Sequence, residues 1–140
     1  MFVEDTDLIE VIIHYRKSGH HYLAYTASEF KEKDFDEEQK ASYKEVKLQM
    51  VELSWGLHNQ LQEDAMVDTT GNGDRQFNFK IYKESRLKQL TKEWDAKDNE
   101  GKPIPINNKT LYRLSPAVGE AILRAYDELS FLTEDEEKNS

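Results

Sequence analysis

The chain has no cysteine. That excludes a disulfide framework and any thiolate metal site, and it is compatible with a reducing compartment. Long apolar runs are also missing. Runs such as Val11 to Ile13 fall far short of the roughly 20 residues a membrane-spanning helix needs, so no membrane partner is expected. The N-terminus, Met1 to Asp7, has three acidic residues and no basic region ahead of an apolar stretch, which does not fit a secretory signal. Positive charge is in short supply, with 19 Lys and Arg against 28 Asp and Glu, a formal net charge of -9. A field of that sign repels phosphate backbones, so direct nucleic-acid binding is not expected and basic partner surfaces are favoured.

The carboxylates concentrate in two places. Residues Glu29 to Glu38 carry six of them against Lys31 and Lys33, and Thr133 to Ser140 carry four against Lys138. Such runs are ordinarily solvated faces or tails rather than sites. Among the 140 residues 37% are apolar and 34% charged, enough for one domain with a thin core and a large solvated or partner-facing surface. The reading is a single domain over residues 1–132 followed by an acidic tail, 133–140.

Period-two β-branched residues, Ile9, Val11 and Ile13, then Lys17-Ser18-Gly19 and the run Tyr22 to Thr26, predict a β-hairpin over 8–26. Ile9, Val11, Ile13 and Tyr15 share one of its faces, and the hairpin needs a helix or another sheet edge to pack against, including one from a second subunit. From Asp36 to Met66 the pattern reads as helical. Tyr43, Val46, Met50, Leu53, Leu57 and Leu61 follow steps of three and four, and Leu48, Val51 and Trp55 form an adjacent stripe. This predicts one long central helix over 36–66, capped by Asp34 or Asp36, with Gly56 marking a close helix crossing. One stripe suits the core; the other, Leu48, Val51 and Trp55, is the candidate surface for a protein partner.

Asp68 to Gln76 is a turn-rich break. A helix is expected over 79–94 with Asn78 as cap, then an extended loop through Gly101, Pro103 and Pro105, a short turn capped by Asn108, and a helix over 116–131 opened by Ser115-Pro116. The fold class is α+β, an N-terminal β-hairpin with three to four helices, and an all-α bundle is the alternative.

Motifs for chemistry are sparse. His20 and His21 are adjacent and would point to opposite faces of a strand, which does not suit a shared metal. Asp68 to Asp74 departs from a calcium loop, with Thr70 at its third position and Phe79 at its twelfth. Gly71-Asn72-Gly73 lacks the remaining elements of a dinucleotide or phosphate loop. No Gly-x-Ser-x-Gly elbow occurs. No catalytic residue, cofactor or metal is therefore expected, and the chain reads as a non-enzyme. Trp55, Tyr82, Trp94, Tyr112 and Tyr126 include aromatics interleaved with basic residues, yet all five fit helical spacing for a core.

The segment from Trp94 through Gly101-Lys102-Pro103-Ile104-Pro105 to Leu114-Ser115-Pro116 and Tyr126 resembles small tail proteins of tailed bacteriophages, tail assembly chaperones in particular. In that pattern a helix ending in tryptophan leads into a Gly-Lys-Pro-x-Pro loop and a final helix opened by proline. The resemblance spans about Phe79 to Leu129. It implies a small, acidic, helix-rich protein that holds the tape-measure protein soluble in the host cytoplasm while tail subunits assemble, with no catalytic residues. It adds Trp94, Pro103 and Pro105 to the candidate protein-binding positions. The alternatives are a minor virion structural protein of capsid, neck or tail, whose hairpin would add to a neighbour's sheet, and an inhibitor of a basic host protein.

Overall fold

A computed structural model describes residues 1–4 and 6–130; the expected acidic tail and the last residue of the expected final helix lie outside the described residues. The expected α+β class holds. The hairpin forms from β1 (Leu8–Ser18) and β2 (His21–Thr26), with Gly19 at φ 63° taking the left-handed conformation the turn requires. Two short helices follow, α1 (Ala27–Glu32) and α2 (Glu37–Ala41). Thr26 and Asp36 cap them through reciprocal capping boxes with Glu29 and Gln39. The chain continues as β3 (Lys44–Val51), α3 (Trp55–Asp64) and the small ladder β4 (Met66–Val67) with β5 (Gln76–Phe77). It ends in α4 (Phe79–Leu90), β6 (Thr91–Trp94), α5 (Asn108–Tyr112) and α6 (Pro116–Ser130). The main sheet is antiparallel in the order β2-β1-β3-β6.

The long helix expected over 36–66 is not there. The stretch is α2, β3 and α3 instead. Residues four apart share a side in both periods, because four residues are close to one helical turn and an even number along a strand. Val46 and Met50 therefore fit either template. Leu48 decides between them: it alternates with those two, and all three are buried on one sheet face. The winning interaction is non-local, since β1 offers an open edge to which β3 pairs with Val11 opposite Leu48 and Ile13 opposite Val46. Ser54 then restarts the helix, its hydroxyl accepting the Leu57 N–H at 3.2 Å. Gly56 marks no close crossing, for nothing lies within 4 Å of where a Cβ would sit.

The helix expected over 79–94 stops at Leu90. Thr91 turns extended, and the last four residues become β6 on the free edge of β3, with Trp94 opposite Leu48 and a register shift at Gln49 and Met50. Asn78 caps α4 as expected and Ser115 caps α6, while Asn107 rather than Asn108 caps α5. The described residues hold six helices, more than the three or four expected, because the central stretch divides into two helices around β3 and because α1, which no expected helix covered, forms behind its Thr26 cap.

Helix α6 lies across β1 and β2 and packs on the core face, its Ala121, Ile122, Ala125 and Tyr126 sharing one core cluster with Val11, Ile13, Leu48 and Met50. The Tyr126 hydroxyl donates to the Val51 carbonyl at 2.8 Å. Arg86 lies over the rings of both Tyr82 and Tyr126 and pairs with Asp127. Arg124 makes two hydrogen bonds to the Glu29 carboxylate, and Glu128 accepts from the Thr26 and Ser28 hydroxyls. The opposite face of β1 carries His14, stacked on Phe30 at 4.0 Å within a cluster that includes Phe35 and Tyr43.

Two outcomes follow. In urea unfolding, Leu48→Ala should cost about 2–5 kcal/mol by leaving a cavity, whereas Trp55→Ala, at a position 80% exposed, should change stability by at most about 0.5 kcal/mol. Burial lowers the His14 pKa, against a smaller upward pull from the Glu45 carboxylate. The folded chain therefore binds this proton less readily than the unfolded chain. The resulting stabilisation is complete above about pH 6.5 and is lost as pH falls through the lowered folded value. Unfolding midpoints measured from about pH 7 to about pH 5 should fall, and His14→Gln should flatten that slope.

Candidate protein-binding surface

The candidate positions from the sequence do not form one patch. Leu48 and Val51 are buried in the core; Leu48 pairs with Trp94 across β3 and β6, and the two line one hollow. Trp55 stands exposed on the first turn of α3. Trp94 is half-buried at the end of β6, and Pro103 and Pro105 are exposed on the loop that follows. The expectation that five aromatics serve the core holds for Tyr126, which is fully buried, and for Tyr82 and Trp94, which pack against it. It fails for Trp55 and for Tyr112, the latter 88% exposed.

The proline loop is a fastened hairpin rather than a loose connection. Asp98 Oδ1 accepts the N–H groups of Glu100 and Lys102, and Gly101 closes the turn at φ 80°. Lys97 bridges Pro103, the Ile104 N–H donates to the Ala96 carbonyl, and the Trp94 indole N–H donates to the Ile104 carbonyl at 2.6 Å. The Thr110 hydroxyl donates to the Pro105 carbonyl, tying the loop to α5.

This loop walls a cleft of ≈ 290 Å³. Trp94 and Ile104 form one side, Tyr15 and Tyr22 another, and Lys97 and Arg113 also line it. Burial, with smaller contributions from Tyr22 and Asp95, pushes the Tyr15 phenol up. On the far side of Leu114 and Ser115, which line both hollows, a wider groove of ≈ 600 Å³ runs between α4 and α6. Its apolar lining includes Leu87, Leu111 and Leu123, and Tyr112 stands at its edge. The helical spacing puts Lys80, Lys83, Leu87 and Lys88 on one side of α4, and Lys83 pairs with Glu120 of α6 at 2.6 Å. Trp55 lines neither hollow.

Sequence reasoning missed Leu87 and Tyr112 as surface groups. The available signal was the run of lysines on one side of α4 beside an apolar stripe, which the aromatic-as-core reading absorbed. The surface offers concave apolar area with cations around it. Among the described residues, no helix is long and apolar enough to cross a membrane and no group of three or more His, Asp or Glu is placed to hold a metal.

Geometry thus defines a small α+β domain presenting a two-part apolar surface at the α4, α5 and α6 end. Comparison with known proteins finds no family model, characterised protein or solved structure that matches the chain.

Trp94→Phe keeps the ring but removes the bond to Ile104. It should lower stability by about 1 kcal/mol and speed amide hydrogen exchange in the loop at Ile104, while exchange at Val11 and Leu48 stays slow.

Proposed function

We propose that the protein is a non-enzymatic bacteriophage assembly factor, a tail assembly chaperone that binds a tape-measure or tail protein in the host cytoplasm. The observation that carries this reading is the two-part apolar surface with the exposed Tyr112 at its edge. The stretch that resembles the tail chaperones is also the stretch that builds much of this surface, through Trp94, Ile104, Leu111, Leu114 and Pro116. A long helical client exposes apolar stripes before it is enclosed, and a concave apolar groove is the complementary shape. A second reading, a minor virion structural protein, is favoured by β2, which forms an outer edge of the sheet and offers a strand for pairing with a neighbouring subunit.

Quantitative mass spectrometry separates the two. The chaperone reading expects the tagged protein to co-purify with a tape-measure or tail protein from infected cells and to be missing from purified particles. Stoichiometric presence in the particle would overturn it in favour of the structural role.

A further inference from the structure

The net charge of -9 points to a basic partner, but the apolar surface carries the opposite sign. Lys80, Lys88, Lys97 and Arg113 line the groove and the cleft, and none of the four makes an ion pair among the described residues. The carboxylates lining the groove are Glu84 and Glu120, the latter already paired with Lys83; the cleft has none. Cations with no ion pair among the described residues, beside apolar area on an otherwise acidic chain, are a local reversal of charge.

We propose that this surface takes an acidic amphipathic helical segment of the partner, with apolar side chains in the groove and carboxylates beside Lys80 and Lys88. The proposal rests on the protein-binding reading and sets the sign of the partner against the one that net charge suggests. Dimensions fit: from Lys80 to Lys88 is about two helical turns, about 12 Å, which accommodates anchors spaced at one-turn intervals on the incoming helix. The chain's overall negative field repels such a partner at long range, so recognition depends on close contact with the local cations and on the apolar anchors. A nucleic-acid strand fits the groove less well, because Glu84 and Glu120 line it and leucines outnumber rings there.

The test uses the full chain and fluorescence anisotropy with three probes. They are a synthetic amphipathic peptide with leucines at helical spacing flanked by glutamates, its twin with lysines in place of glutamates, and a single-stranded oligothymidine. The glutamate peptide should bind saturably. The pair Lys80→Glu and Lys88→Glu should weaken it by about tenfold or more, while the pair Lys31→Glu and Lys40→Glu, the same charge change elsewhere, should not. Thermal unfolding of each variant establishes that it remains folded. Equal or tighter binding of the lysine peptide, binding of the oligonucleotide at the groove, no peptide binding, or indifference to the Lys80 and Lys88 substitutions would overturn the proposal. If a tail client still co-purifies under any of those outcomes, only the acidic-partner inference falls; if no client co-purifies, the protein-binding reading falls with it.

Discussion

The Tyr126 hydroxyl reaches from α6 to the carbonyl of Val51 at the end of β3, joining residues 75 apart in the chain. Its ring is fully buried, so the bond satisfies two polar groups that would otherwise be stranded in the core at about 1–3 kcal/mol. One position thereby sets how far α6 slides along the sheet. Arg86 lies over the same ring and pairs with Asp127, which brings α4 into the same arrangement. The groove between α4 and α6 exists because these contacts hold the helices at a fixed spacing, with Lys83 and Glu120 bridging it.

Around that centre the polar contacts orient more than they stabilise. Arg124 with Glu29 and Lys83 with Glu120 are partly exposed ion pairs, a type worth about 1 kcal/mol or less. Their value lies in direction. Arg124 and Glu128 grip the turn between β2 and α1, where buried Thr26 serves both as helix cap and as donor to Glu128. The stabilising mass comes from the apolar face of the sheet under α6, where each large side chain fully buried contributes about 1.5–3 kcal/mol.

Local signals were legible in the sequence and long-range ones were not. The hairpin announced itself through alternation at Ile9, Val11 and Ile13, and the caps at Asp36, Asn78 and Ser115 stand where side-chain chemistry places them. The strand β3 was misread because Val46 and Met50 satisfy either period, and only pairing with β1 selects one. For the same reason β6 was read as the end of a helix: its partner, Leu48, lies far away in the chain. The candidate surface divided likewise. Trp94 and the proline loop were legible as a motif, whereas the groove is made by α4 and α6 meeting, and Tyr112 looks like core until the fold leaves it outside.

The Trp94 cleft draws its walls from Tyr15 at one end of the chain and Ile122 near the other. Between them in the chain lie β2, β3 and β6. The cleft is therefore a property of the folded state, assembled from residues distant in the chain. By mass action, anything that occupies the cleft draws on the cooperativity of the whole domain, so the ligand acts as a thermodynamic clamp on residues it never touches.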